Sequence, residues 1–220
     1  VARVMSRMAD AAVIRTFDHN IIEEFSAAAT IPVINALTDG EHPCQTLADL
    51  QTIEESKGSL KSVRVAYIGD GNNVAISLAL GMASTGGHLT IASPPGYVLP
   101  EKTASDVVPL NAASGGSLKL ITDPVEAVSG ADIVYTDVWT SMGQEEERRA
   151  RLEAFKGYQV NPELLDNAPA GVCFMHDLPA HPGEEISDGL LIDPRSIAFD
   201  QAENRLHSQA GLLHYMFTQG

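Results

Sequence analysis

The stretch VRVAYIGDGNNVAISLALGMASTGGHLTIAS, Val63 to Ser93, constrains the fold more than any other part of the chain. Val63 to Ile68 is a short apolar run rich in branched residues, the length of one buried strand. Gly69-Asp70-Gly71 breaks it with turn chemistry, Asn72 can cap a helix, and Val74 to Ala83 carries a helical apolar face. Gly86-Gly87 ends that helix and His88 to Ala92 begins a second strand. Strand, glycine turn, helix and strand form a βαβ unit, whose crossover is right-handed. In open α/β sheets, ligands lie beyond the carboxyl ends of the strands, so Asp70 to Asn73 is a candidate site lip. Val74 stands where the dinucleotide fingerprint Gly-x-Gly-x-x-Gly has its third glycine, which counts against a nicotinamide or flavin site. Taken alone, a plain tight βα turn is the simpler reading, since turn glycines need no ligand.

Charge narrows the partners. With 29 acids against 14 bases the formal net charge is -15, and no basic stripe is present to neutralise phosphates. Nucleic acid and anionic membrane are therefore excluded, and an anionic substrate must be held by a few well-placed arginines against the overall field. The length of 220 residues, with 44% hydrophobic content, suits one large domain or two small ones. Cys44 and Cys173 lie far apart without metal or redox spacing, which fits a reduced, cytoplasmic protein. No stretch approaches a membrane span and no basic-then-apolar leader is present. The chain starts at Val1 inside a helical pattern, so it reads as a fragment or a trimmed chain.

Along the chain, Ala2 to Ala11 is helical, followed by a strand at Val13-Ile14 that ends on Arg15. By itself Arg15 reads as a surface arginine. Asp18 can cap a helix over Asn20 to Ala28, and Ile31 to Ile34 is a short strand. Asn35 to Gln45 is a loop of turn formers, and Leu47 to Glu55 is a helix. His42 and Gln45 sit near that helix's N-terminus, where backbone donors favour an anion or a carbonyl oxygen, or serve simply as cap and turn. Lys57-Gly58-Ser59 is a seam between two halves.

A helix over Thr103 to Ala113, a strand at Leu118 to Ile121, a short helix at Pro124 to Val128 and a strand at Ile133 to Thr136 come next. This alternation predicts a doubly wound parallel sheet. Asp137 stands directly at the last strand's end. A carboxylate there can hold a substrate ammonium, while Ser141 and the amides near Gly143 can take a carboxylate, together suiting an amino acid's α-groups. Asp137 as a loop cap, with Trp139 and Met142 as packing, explains the same residues equally well. Glu145 to Phe155 reads as a charged helix with a solvated face. Val172 to Met175 is a strand that runs into His176 and Asp177, adjacent residues that would face opposite ways and are no dyad by sequence alone. Ala180 to Glu185 lacks His-Glu-x-x-His spacing, so no metal is expected there. Ser196 to Phe199 is predicted as a last strand. A helix over Gln201 to Phe217 places Arg205 near its first turn, against the helix dipole, which suggests an anion partner.

The segments ARVMSRMADAAVIRTF, HPCQTLADLQTI, GDGNN, TDVWTSMGQEEE, HDLPAHPGEE and DPRSIAFDQAENR, in this order and spacing, resemble the aspartate/ornithine carbamoyltransferase family, most closely its ornithine-specific members. The resemblance implies two Rossmann-like α/β domains flanking a cleft, the first incomplete here. Residues 1–56, completed by a helix over 200–220, would bind carbamoyl phosphate, and 57–199 would bind ornithine. By motif match, Arg15, His42, Gln45 and Arg205 contact carbamoyl phosphate, with Arg205 beside its reacting end. Asn73, Asp137, Ser141 and Met142 hold ornithine, and the Ser-Met-Gly loop closes over the site. Family members form trimers whose sites are completed by a neighbouring subunit, and they use no cofactor, metal or covalent enzyme intermediate.

Two departures stand out. The family's Ser-Thr-Arg-Thr-Arg phosphate motif would lie upstream of Val1, so the chain as written is expected to be weak or inactive. The family's His-Cys-Leu-Pro is here His-Asp-Leu-Pro, which puts Asp177 at the position of the reactive-site cysteine and gives it the expected role of contacting, and deprotonating, the attacking amine. A strand-end cap is its plainer role. The expected reaction is carbamoyl transfer to the δ-amine of L-ornithine. The alternatives are another amine acceptor, such as putrescine or a modified ornithine, and a non-catalytic binding module on the same fold.

Overall fold

The computed structural model describes residues 1–140 and 145–218. The chain runs α1 (Ala2–Met5), β1 (Ala12–Arg15), α2 (His19–Ala28), β2 (Val33–Leu37), α3 (Pro43–Lys57), β3 (Arg64–Ile68), α4 (Asn73–Thr85), β4 (His88–Ala92) and α5 (Glu101–Ser114). It continues β5 (Ser117–Ile121), α6 (Pro124–Val128), β6 (Ile133–Thr136), α7 (Arg148–Ala154), α8 (Pro162–Leu165), β7 (Cys173–His176) and α9 (Ala198–Thr218). A parallel five-stranded sheet has the order β5-β4-β3-β6-β7, and β1 and β2 form a separate parallel pair. The α/β class and the parallel sheet are as predicted.

The Val63–Ser93 unit is β3, α4 and β4 at the centre of that sheet, with Val65 in register with Leu89 on one side and Ile133 on the other. Because the chain winds from β3 outward to β4 and β5 and then returns to β6, the switch point lies between β3 and β6. A crevice opens there at the carboxyl ends. The strand is buried on both faces, which is why its sequence is continuously apolar. Val65 and Tyr67 pack with Leu78 and Met82 of α4, while Ala66 and Ile68 pack with Val134, Phe155 and Phe174 on the opposite face. Tyr67 and Tyr135 meet edge to face at 5.5 Å. Gly71 is required at the crevice lip: a Cβ there would lie 2.4 Å from the backbone nitrogen of Leu99 and from the carbonyl carbon of Val98.

Several predicted boundaries move. The strand expected at Ile31 to Ile34 lies at Val33–Leu37, because Ala12 N–H takes the Pro32 carbonyl and the ladder runs on past it. Helix α3 begins at Pro43, with proline at its first position, so Cys44 and Gln45 belong to its opening turn. The predicted strand at Ser196 to Phe199 is absent: Ser196 makes one isolated bridge to Phe174, and Ala198 already opens α9. Arg205 therefore lies in the third turn of α9, and its expected conflict with the dipole in a first turn does not arise. Glu145 to Phe155 is a short 3-10 turn, Glu145–Glu147, followed by α7, and its face is not wholly solvated, because Arg151 is buried. Helix α9 packs along α3, where Asn204 Nδ2 donates to Thr52 Oγ1 (2.9 Å) and Glu55 Oε2 (2.8 Å). Among the described residues no helix is long and apolar enough to cross a membrane.

Candidate active site

Two groups of polar side chains meet at the crevice. The first comes from α3 and α9. Gln45 Oε1 accepts from Arg205 Nη1 at 2.6 Å, across two elements far apart in sequence. His42, at the N-cap of α3, is buried, and its backbone N–H donates to Ser77 Oγ at 2.8 Å. Its Nδ1 has no hydrogen-bond partner among the described residues. Burial, and then the nearby Arg205 and Arg15 charges, push the imidazole down to about 4, so it is neutral at pH 7. Arg15 is exposed at the end of β1. The four predicted carbamoyl-phosphate residues, Arg15, His42, Gln45 and Arg205, are thus gathered in one neighbourhood.

The second group stands at the carboxyl ends of β6 and β7. Asp137 is buried, and its Oδ2 accepts from Asn72 Nδ2 at 2.7 Å. Asp177 follows β7 with its side chain 9% exposed, its Oδ1 3.6 Å from His176 Nδ1 and without a hydrogen bond among the described residues. Burial first, and the neighbouring Asp137 second, raise the Asp177 carboxyl well above the usual carboxylate range. Two carboxylates are both acceptors, so the pair closes a hydrogen bond only when one of them carries a proton. This buried carboxyl pair is suited to an amine.

His176 is not a dyad with Asp177. Its Nδ1 accepts the Leu178 N–H at 2.9 Å, so in this arrangement the proton is on Nε2, which faces Glu185 Oε1 at 3.2 Å. Where no metal was expected, His181, Glu184 and Glu185 do bring one ligand atom each to within 4.8 Å of one another. Glu184 is ion-paired with Arg148, and Glu185 Oε1 accepts from the His181 N–H as well as facing His176, while Glu185 Oε2 is buried without a hydrogen-bond partner among the described residues.

Asn73 turns its amide to the Thr38 carbonyl (2.7 Å), while its neighbour Asn72 reaches Asp137 and also caps α4 through Oδ1. Ser141 and Met142, predicted to hold ornithine, lie outside the described residues. Sequence reasoning also missed Arg151. Its Nη1 donates to Asp70 Oδ2 (2.5 Å) and to the Trp139 carbonyl (3.1 Å), and its guanidinium lies 5.0 Å from the Tyr97 ring centre. Asp70, read as part of the site lip, is thereby committed to a buried ion pair. One arginine of three in a run of charges gave no sign of this. An apolar groove of about 500 Å³ between α3, α4 and α9, lined by Pro43, Leu47, Leu50, Leu80 and Leu212, contains none of the predicted site residues.

Comparison with known proteins identifies the family. The family described as aspartate/ornithine carbamoyltransferase, carbamoyl-P binding domain, matches residues 1–55, and its Asp/Orn binding domain matches residues 61–216. The anabolic ornithine carbamoyltransferase of Pyrococcus furiosus is 50% identical over 212 residues, covering 96% of this chain and 67% of that protein. Ornithine carbamoyltransferase of Bacillus subtilis is 51% identical over 219 residues, 100% of this chain and 69% of that protein. The solved structure of the Pyrococcus furiosus ornithine carbamoyltransferase superposes with a TM-score of 0.93 at 50% identity, covering 96% of this chain and 68% of that one. The chain belongs to the aspartate/ornithine carbamoyltransferase family.

Proposed function

We propose that the protein transfers the carbamoyl group of carbamoyl phosphate to the δ-amine of L-ornithine, giving citrulline and phosphate in arginine biosynthesis. One observation carries the reading: a cationic group (Arg15, Arg205, with neutral His42 and Gln45) lies across the crevice from a buried carboxyl pair (Asp137, Asp177). Relatives at about half identity that bear the name ornithine carbamoyltransferase support it.

The charges dictate the chemistry. Arg205 and Arg15 offset the phosphate, neutral His42 donates to the carbamoyl oxygen as negative charge develops there, and Gln45 at the same end holds Arg205 through its Oε1. The amine nitrogen bonds to the carbamoyl carbon, the carbon–oxygen bond to phosphate breaks, and the amine loses a proton. An alkyl ammonium has a pKa near 10.4, so freeing it at pH 7 costs about 5 kcal/mol. Passing its proton to an ordinary carboxylate of pKa near 4 would be uphill by about 9 kcal/mol. Each unit by which Asp177 is raised lowers that gap by about 1.4 kcal/mol. Asp177 takes the proton, and Asp137, with Ser141 and Met142 assigned by motif alone, takes the α-groups. Asn73 is assigned to ornithine by motif alone, since its amide donates to the Thr38 carbonyl. The protein works as a cytoplasmic homotrimer. Residues 1–56 with the helix over 200–220 form the carbamoyl-phosphate domain, and residues 57–199 form the ornithine domain.

A citrulline colour assay on the protein expressed from its own gene tests this, with ornithine, putrescine and N-acetylornithine as acceptors. Turnover confined to ornithine is expected. Turnover with another amine alone, or with none, refutes the reading, and light scattering reports the trimer.

A further inference from the structure

At the base of the crevice, below both polar groups, lies a carboxylate that the reaction does not use. Asp49, in the middle of α3, is fully buried. Gln45 Nε2 (2.8 Å) and Gln201 Nε2 (2.7 Å) both donate to its Oδ1, and Tyr135 Oη donates to its Oδ2 at 3.1 Å. The three donors come from α3, α9 and β6.

We propose that Asp49 is a positioning residue for both halves of the site, fixing the amide orientations of Gln45 and Gln201 and, through them, Arg205 on one side and the Asp177-bearing end of β7 on the other. The inference rests on the carbamoyl-transfer reading of the site.

Both glutamines donate to Asp49 Oδ1, so each turns its NH₂ toward Asp49. For Gln45 this leaves Oε1 facing outward, where Arg205 Nη1 takes it at 2.6 Å. For Gln201 it leaves Oε1 to accept the His176 N–H at 2.9 Å, one residue before Asp177. An apolar residue at 49 would free both amides to flip. A flipped Gln45 would present NH₂ groups to a guanidinium, a donor against donors. Tyr135 adds a third tie, to β6, which ends next to Asp137. Burial pushes Asp49 up to about 7 even with three donors and the Arg205 charge opposing it. Holding this carboxylate in the interior is therefore costly, which packing alone would not require.

The test measures kcat and both KM values for Asp49→Ala and Asp49→Asn. Asparagine keeps one oxygen that can accept from both glutamines while its NH₂ faces the Tyr135 oxygen. It should hold both KM values within about threefold. Alanine should raise the KM for carbamoyl phosphate and for ornithine by about tenfold or more in enzyme that is folded by circular dichroism, a loss of about 1.4 kcal/mol each. Folded Asp49→Ala enzyme with both KM values within twofold of the parent overturns the proposal. If alanine at 49 prevents folding, the Gln45→Ala, Gln201→Ala cycle decides. Both glutamines donate to the same Asp49 oxygen, so their effects on kcat/KM should be non-additive, and additivity within twofold overturns the proposal. If the parent enzyme makes no citrulline at all, the functional reading fails instead, and the two failures are distinguishable.

Discussion

The buried ion pair at the crevice rim gives the sharpest test of how the site is held. Arg151 and Asp70 are 8% and 13% exposed in their side chains, and one Arg151 nitrogen serves both the Asp70 carboxylate and the Trp139 carbonyl, two residues past Asp137. Burial raises Asp70 even though Arg151 pulls it down, so desolvation outweighs the pairing. Arg151→Met keeps the aliphatic stem against Tyr97 but strands a desolvated carboxylate. Removing one partner of a buried pair costs about 3–5 kcal/mol. With an m-value of roughly 2–3 kcal/mol/M for a chain of this size, the urea midpoint should fall by about 1–2 M. The pH dependence has a definite sign. A carboxyl raised in the folded state binds protons more tightly there than when unfolded, so stability is lost as pH rises from near 4 through the folded value. Without Arg151 the carboxyl rises further, and the deficit of the variant should be larger at pH 8 than at pH 5. Adding Asp70→Asn removes the charge and should recover most of the loss. Urea titrations followed by circular dichroism at both pH values measure all of this. A deficit below about 1 kcal/mol, a deficit equal at the two pH values, or a double variant no better than the single one refutes the reasoning.

Other substitutions probe the crevice separately. Gly71→Ala would drive a Cβ to 2.4 Å from the backbone at Leu99, which no rotamer change relieves, and a loss of about 3 kcal/mol or more should appear as a lowered melting temperature. Asp177→Ala should raise the ornithine KM by about tenfold and move the pH–rate profile, and unchanged values would make Asp177 a strand-end cap. The same variant should also be more stable than its parent at pH 8, because burial and Asp137 both disfavour the Asp177 anion, a difference that a urea titration reads. His42 is lowered to about 4, so its contribution is intact above 6.5 and is lost as pH falls through that window, by about 3 kcal/mol in all. In His42→Gln, that stretch of the stability curve should flatten.

The central βαβ unit was legible because three local signals agree: a branched apolar run, a glycine turn and a capped amphipathic helix. Asp137 was legible for a related reason, since a charge at the end of an apolar run must sit where the sheet stops. Boundaries failed where backbone pairing overrode composition. Pro32 suggested a strand start, yet its carbonyl is what the neighbouring strand uses, and the ladder proper begins at Val33. Ser196 to Phe199 has strand composition but only one ladder contact to make, and helix α9 claims the rest.

What sequence could not supply is which of two adjacent side chains faces the site, and which distant residues share a buried charge. Asn72 and Asn73 are chemically identical. Their roles separate only because the first is the N-cap, in extended geometry, and reaches β6, while the second has entered the helix and turns toward Thr38. Arg151 lies in a run of charges whose neighbours Arg148 and Arg149 are exposed, and periodicity gives it no distinction. Its burial is decided by Asp70, Trp139 and Tyr97, far apart in sequence, which converge on it from three loops. Asp49 is the same case in reverse. An acid at the middle of a helix reads as solvated until α9 and β6 arrive to cover it, and only their donors make its burial tolerable. Candidate site residues on strand ends are thus foreshadowed by pattern, whereas the residues packed beneath them are defined by tertiary contact alone.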